Sequence, residues 1–206
     1  MTNREPNPPT EANTPAATHL DQRLAAWTHM WALAASEVLA AMERPREDNV
    51  SFGHRDALTL ALVDASHNVI RGAEKLLPNE HSLLQQFKTE HPELTRIRDR
   101  FEHFDEYVRG VGWRQDREGK LGLANDLTSA GLDFLSSSGG GPEGHVLEVE
   151  VFENEGGKLE SRTYSVPTRT LTVAVRQLAR SALDAAGLID QKHLDHCEMC
   201  QNPGLI

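Results

Sequence analysis

The sequence predicts a mainly α-helical fold, a bundle of four to five helices with a β-hairpin inserted before the last helix. Two observations support this prediction. Apolar residues recur at steps of three and four through most of the chain, which is the period of a helix with one buried face. From Leu147 to Val151 the period changes to two, with Glu148 and Glu150 at the alternate positions, as in a half-buried strand.

The composition is that of a soluble globular protein. The chain has 206 residues, of which 38% are hydrophobic and 25% charged, and its formal net charge is −10. This length can bury one domain core, and no apolar run approaches the length of a membrane helix. We therefore expect a cytoplasmic protein that does not enter a membrane. The acidic balance disfavours general binding to nucleic acid but is compatible with a local basic site.

Three parts of the chain differ in pattern. Residues 1–17 are polar and proline-rich, so we predict a disordered tail that is neither a signal peptide nor an anchor. Residues 18–190 form the helical domain, with a flexible loop at 114–144, including the connector Ser136–Pro142, and the hairpin at 145–166. Residues 191–206 form a C-terminal tail.

Each predicted helix has its own apolar stripe. The first helix begins near Asp21 as N-cap, and the two tryptophans in its stripe are interpreted as core anchors. The last helix ends at Gly187. The stripes are Leu24, Trp27, Trp31, Ala34, Val38 and Ala41 in the first helix; Leu58, Leu62, Ala65, Val69, Ala73 and Leu76 in the second; Leu94, Ile97, Phe101, Phe104, Val108 and Val111 in a later one; and Leu171, Val175, Leu178 and Ala182 in the last.

The helix that follows Pro92 carries the densest group of ionisable side chains, and its residue types suit RNA cleavage without a metal. That reaction needs a group that takes a proton from a 2′-hydroxyl and a cation that stabilises charge on the phosphorane. Histidine titrates near neutral pH, and arginine offers a permanently charged planar fork. We therefore consider His103 as the general acid or base and Arg98 as the phosphate clamp.

The run Arg98-Asp99-x3-His103 resembles the Rx4–6H signature of the HEPN superfamily of small helical domains. The resemblance covers about residues 20–112 and the last helix, and it leaves out the hairpin and the C-terminal tail. It implies a metal-independent endoribonuclease of toxin or defence type, with RNA as substrate, a homodimer around a shared cleft and a protein antitoxin as partner. Further residues then acquire roles: Asp99 orients the catalytic pair, and Tyr107, Arg100 and Asp56 bind substrate.

Helix geometry leaves alternatives open. Arg98 and His103 are five residues apart, so on a regular helix they lie about 140° apart around the axis. Either the helix is irregular there, or the site forms across a dimer, or these charges make ordinary ion pairs on a solvated face. In the last case the chain is a non-catalytic interaction or regulatory protein. A third interpretation, a metal-dependent enzyme, depends only on scattered histidines. Among these, His67 lies three residues after Asp64 on the second helix, a spacing compatible with shared metal ligation.

The C-terminal tail contains four side chains of the types that bind zinc, namely His193, His196, Cys197 and Cys200. A CxxC pair normally needs two further ligands, and adjacent His196 and Cys197 are poorly placed to bind one ion together. The alternatives are a polar tail without metal and a small structural zinc site, which a partner chain would complete if the tail cannot. A redox role is disfavoured because the pair lacks a strand-to-helix setting.

Overall fold

The computed structural model describes residues 17–44, 52–102, 136–141, 144–155 and 158–204. Within these ranges the predicted fold is confirmed, because the chain is mainly helical and a β-hairpin precedes the last long helix. The helices are α1 (His19–Glu43), α2 (Phe52–Leu76), α3 (Ser82–Glu90), α4 (Leu94–Glu102), α5 (Thr168–Ala185), α6 (Gln191–His196) and α7 (Glu198–Gln201), and the strands are β1 (Ser136–Gly141), β2 (Gly144–Glu155) and β3 (Lys158–Pro167).

The two longest helices, α1 and α2, pack against each other and against α5. At one point the backbone of α2 lies against a side chain of α1: a Cβ added to Gly72 would lie 1.9 Å from the Thr28 hydroxyl oxygen. Thr28 also donates a hydrogen bond to the Leu24 carbonyl at 2.8 Å, so its side chain lies against its own helix. Small residues at this contact allow the two helices to bury an apolar core between them and α5.

The buried face of α1 differs from the predicted stripe. The fully buried positions lie one residue further along the chain, and Trp27, which we predicted to anchor the core, is 56% exposed. The prediction favoured the largest apolar residues, whereas the close approach of α2 requires small ones. The buried positions of α1 are Ala25, Thr28, Ala32, Ala35, Leu39 and Met42, while Leu24, Trp31, Ala34, Val38 and Ala41 are half-buried beside them.

The ends of the long helices are set by local hydrogen bonds. The N-cap of α1 is Thr18 and not Asp21: the Thr18 hydroxyl accepts from the Asp21 N–H, and the Asp21 carboxylate accepts from the Thr18 N–H, which is a capping box. At the other end of the fold, Gly187 has φ of +67° and follows the C-cap of α5, as predicted from its position. The predicted stripe of α5 is fully buried.

The hairpin belongs to a three-stranded antiparallel sheet in the order β1-β2-β3. Strands β2 and β3 pair from Val146 with Pro167 to Glu155 with Lys158. The prediction of a flexible connector is wrong for Ser136–Gly141, which forms β1 beside β2. Leu147, Tyr164 and Val166 are buried, and the sheet contacts α5 through β2 and β3. In the part of the chain that the structure describes, no helix has the length and apolar character to cross a membrane.

Candidate metal centre

Four side chains of metal-binding type converge where α1 meets the C-terminal segment. His29 comes from α1, His193 from α6, Cys197 from the junction of α6 and α7, and Cys200 from α7. One nitrogen or sulfur atom from each side chain lies within 4.8 Å of the corresponding atoms of the other three. Cys200 is buried, and the other three are half-buried. Among the described residues this is the one group of three or more histidine, cysteine or acidic side chains with such spacing.

Local structure in the tail brings three of these residues together. The Asp190 carboxylate caps α6 by accepting from the His193 N–H at 2.7 Å. Cys197 then ends α6 and begins α7, and its carbonyl accepts from the Cys200 N–H at 3.0 Å. Met199 and Cys200 belong to the main hydrophobic core. The tail is therefore a folded segment packed on α5, which differs from a solvated polar tail.

Two short contacts define the geometry of the cluster. His29 Nε2 lies 3.2 Å from Cys197 Sγ, and His193 Nε2 lies 3.2 Å from Cys200 Sγ. The two imidazole rings are 5.6 Å apart between centroids and inclined at 69°. With Zn–S of about 2.3 Å and Zn–N of about 2.0–2.1 Å, a tetrahedral site places its donor atoms roughly 3.3–3.8 Å from one another. The two contacts of 3.2 Å are close to this range, and the upper limit of 4.8 Å on the other separations means that some donor atoms must move by up to about 1 Å to complete a tetrahedron.

Burial shifts the pKa values of two of the four side chains, His29 and Cys200. Burial lowers the pKa of His29, and the neighbouring His193 lowers it further, so its neutral, ligand-competent form is favoured. Burial, with a smaller effect from the Cys197 thiol, raises the pKa of Cys200 to about 12. The neutral thiol of Cys200 is therefore stable without a metal, and a bound cation must displace its proton.

Arg176 of α5 joins the tail to the rest of the fold. The Nη2 of this buried side chain donates to the Asn202 carbonyl at 3.0 Å. Burial lowers the pKa of the Arg176 guanidinium, while Glu198 and the two cysteines oppose that effect. The positive charges of Arg180 and Arg176 in turn lower the pKa of the Cys200 thiol, against the larger opposing effect of burial.

An open cleft of about 750 Å³ adjoins the cluster. His29, His193 and Cys197 lie in its wall, whereas the buried Cys200 does not line it. Leu33 and Ser36 of α1 form part of the same wall. The cluster therefore has one face towards this cleft and one towards the hydrophobic core.

The structure brings together three of the four side chains that the sequence suggested as zinc ligands. The structure brings His193, Cys197 and Cys200 together, but His196 lies outside the cluster, because its Nδ1 is 2.8 Å from the Lys192 carbonyl and its side chain is exposed. His29 is the fourth side chain of the cluster instead of His196. Sequence reasoning missed His29 because it lies 164 residues before His193, and no local spacing connects the two. The available signal was the CxxC pair itself, which requires ligands from elsewhere.

The predicted Arg/His site is described only in part. Arg98 and Asp99 lie on α4, where the Arg98 guanidinium forms an ion pair with the Glu102 carboxylate one turn later. His103 and Tyr107 lie outside the described residues, as do the side chains of Arg100 and Asp56. The structure therefore gives no distance between Arg98 and His103.

Arg98 also lies near α2. Burial lowers the pKa of His67, and the positive charge of Arg98 lowers it further, while Asp64 opposes the shift. Asp64 accepts a hydrogen bond from the Asn68 amide at 3.3 Å. Asp64 and His67, which we considered as a metal pair, are not part of a larger ligand cluster among the described residues.

Comparisons of the chain with protein-family models, curated proteins and solved structures give no match.

Proposed function

We propose that the chain binds one zinc ion through His29, His193, Cys197 and Cys200, and that the ion fastens the C-terminal segment to α1. The observation that carries this proposal is the convergence of four donor atoms within 4.8 Å of one another from two distant parts of the chain. Three of the four come from residues 193–200, so the fourth, His29, is what makes the site a link between elements.

The donor set favours zinc among the common metal ions. Thiolate and imidazole ligands together select Zn²⁺ over Mg²⁺ and Ca²⁺, which prefer oxygen. Two thiolates also neutralise the charge of the ion, which suits a cluster whose Cys200 side is buried. Four protein ligands complete a tetrahedron and leave no position for a reacting water. We therefore assign the site a structural role.

The competing explanation is that the two 3.2 Å contacts are weak hydrogen bonds between thiols and imidazoles. Metal analysis of the purified protein separates the two explanations. Zinc ligation predicts one ion per chain in the wild type and loss of that ion in Cys200→Ser and His29→Ala. His196→Ala is the matched control, because His196 is a histidine of the same tail but lies outside the cluster.

Cobalt substitution provides an independent measurement. A tetrahedral Cys₂His₂ site filled with Co²⁺ gives intense visible absorption and thiolate charge-transfer bands, and zinc addition removes them. Protein that binds no zinc or cobalt stoichiometrically contradicts the proposal, as does a wild-type metal content in the Cys200→Ser variant. If His196→Ala loses the ion while His29→Ala retains it, the ligand set is wrong.

A second candidate function is metal-independent RNA cleavage at Arg98 and His103, by the chemistry described above. One observation favours it: the Arg98 guanidinium is close enough to α2 to affect His67, so an arginine and a second imidazole share one region. The Arg98–Glu102 ion pair favours the opposite interpretation, a charged helix without catalysis.

An RNA cleavage assay distinguishes these interpretations without disturbing the zinc site. Catalysis predicts that Arg98→Ala and His103→Ala lose cleavage while retaining zinc, and that Arg44→Ala, an exposed arginine at the C-cap of α1, retains both. Cleavage that persists in folded Cys200→Ser protein does not require the proposed zinc ion, and cleavage that also persists in EDTA requires no divalent metal. Absence of cleavage by the folded, zinc-loaded wild type on a broad set of RNAs refutes this second candidate.

A further inference from the structure

The exposed face of α1 carries an unusual amount of apolar surface. Trp27 and Met30 are 56% and 55% exposed, and Leu20 and Leu33 on the same face are also exposed. They account for four of the five large exposed hydrophobic side chains among the described residues. Contiguous apolar surface of this kind commonly marks a place where another protein binds. We define the α1 face as the exposed residues Leu20, Arg23, Trp27, Met30, Leu33, Glu37 and Ala40.

The α1 face has a heptad arrangement centred on Met30. Arg23, Met30 and Glu37 are seven residues apart, so at about 100° per residue they fall within roughly 40° of one another around the axis. Trp27 and Leu33 lie three residues before and after Met30, about 60° to either side. Trp27, Met30 and Leu33 therefore form a short apolar strip with a charged residue beyond each end, and such a strip can pack along a second helix.

The pattern is self-complementary when two copies run in opposite directions. Suppose that a twofold axis passes beside Met30. A residue that lies a given number of positions before Met30 in one copy is then level with the residue the same number of positions after Met30 in the other copy. Trp27 then lies level with Leu33, and Arg23 lies level with Glu37. Each pair occurs twice, at rises of about 4.5 Å and 10.5 Å from the centre. A parallel, in-register pair would instead oppose Arg23 to Arg23 and Glu37 to Glu37, and like charges disfavour it.

We infer that the chain forms a homodimer through the α1 face, with the two α1 helices antiparallel and Met30 at the twofold axis. This interface does not depend on the proposed zinc ion, although it adjoins the metal centre. Leu33 lies both on the α1 face and in the wall of the cleft beside His29. Trp27 of the second copy therefore packs at the edge of that cleft, so each cleft is bordered by both chains.

Sedimentation velocity of the full-length zinc-loaded protein, over a wide range of concentrations, tests the inference. The wild type should have twice the 22.8 kDa mass of one chain. Met30→Arg places two cations together at the axis and should weaken dimerisation on the order of 100-fold or more. Leu60→Arg is the matched control, since it changes an exposed leucine of α2 outside the α1 face and should leave the dimer intact.

Charge exchange tests the orientation. Arg23→Glu alone opposes two acidic residues, and Glu37→Arg alone opposes two basic residues, so each should weaken the dimer roughly tenfold. The double variant restores opposite charges at both ends and should recover most of the wild-type affinity. Circular dichroism establishes that every variant is folded, which is expected because all four substituted positions are exposed.

Each outcome bears on the inference. A monomeric wild type overturns it, and so does a dimer that Met30→Arg does not weaken; in both cases the α1 face serves another segment or another protein. A dimer that Met30→Arg disrupts, but in which the double charge variant is weaker than either single variant, retains the surface and refutes the antiparallel arrangement.

Discussion

Removal of the proposed zinc ion should destabilise the C-terminal segment first and the whole fold to a measurable extent. The four ligands connect α1 with the short helices α6 and α7, and neither short helix is long enough to be stable by itself. Without the ion, the segment is held by the burial of Met199 and Cys200 and by the bond from Arg176 to the Asn202 carbonyl. Chelation should therefore expose α6 and α7 preferentially.

The expected magnitude follows from ligand linkage. An ion that binds only the folded chain stabilises it by RT ln(1 + [Zn]/Kd), which is about 2.7 kcal/mol when free zinc is one hundred times Kd. For a chain of this length, one kcal/mol changes the thermal midpoint by about 2–4 °C. Saturating zinc should therefore raise the midpoint by roughly 5–11 °C relative to chelated protein.

Thermal unfolding and amide hydrogen exchange measure the two parts of this prediction. The midpoint shift between zinc-loaded and chelated protein should be present in the wild type and in His196→Ala, and absent in Cys200→Ser. The serine hydroxyl at buried position 200 can itself lower the stability of the Cys200→Ser variant. This cost is the same with and without zinc, so it cancels when the zinc-dependent midpoint shift is measured within one variant. Exchange protection in residues 191–201 should fall on chelation more than protection in α2.

Two results would refute the reasoning. If zinc is shown to bind at one ion per chain but chelation changes neither the midpoint nor exchange in α6 and α7, the ion does not fasten the tail. If Cys200→Ser shows the same zinc-dependent shift as the wild type, the stabilising ion binds elsewhere.

Three further variants, with one control, test the packing and the electrostatics of the fold. His91 is buried against Phe87, and burial lowers its pKa below the unfolded value of 6.5. Its contribution to the free energy of unfolding is therefore complete above pH 6.5 and is lost as pH falls towards the folded pKa. In His91→Phe, the free energy of unfolding measured by denaturation should fall less steeply with pH below 6.5, by up to about 1.4 kcal/mol per pH unit relative to wild type. An unchanged pH slope would contradict this. Gly72→Ala should cost about 1–3 kcal/mol, because the new methyl group overlaps Thr28, and a neutral result in urea unfolding would show that α1 and α2 are further apart. Gly187→Ala forces an L-residue into φ of +67° and should cost about 1 kcal/mol, whereas Gly204→Ala, whose added Cβ has no atom closer than 4.0 Å, should be neutral.

Much of the fold follows from patterns within single segments. The stripe of α5 is predicted correctly because its apolar residues recur at steps of three and four and lie on one face. The hairpin is predicted because its period of two contrasts with the helices on either side. Strand β1 is not predictable in this way: its sequence, SSSGGG, has no apolar alternation, and its pairing with β2 uses the backbone, which every sequence shares.

For the candidate site too, the residues close together in sequence could be predicted and the distant one could not. The spacing of His193, Cys197 and Cys200 indicates a metal site because all three lie within eight residues of one another. Whether His196 or another residue completes the set depends on the direction of each side chain after α6 has formed. That direction is a property of the folded segment, and in it the His196 ring faces the Lys192 carbonyl instead of the cysteines.

The missed ligand and the misassigned tryptophan have one cause, the rotation of α1 about its axis. The buried positions lie one residue beyond the predicted stripe, which is a rotation of about 100°. If the predicted stripe faced the core, His29 would lie about 170° around the helix from the centre of the buried face, in solvent. With the observed buried face, His29 lies about 90° from its centre, at the edge where the tail packs. The same rotation carries Trp27 from the core to the exposed side. Because Gly72 allows α2 to approach Thr28, the helix turns its small residues inward, and this choice of face both supplies the fourth ligand and creates the exposed apolar surface.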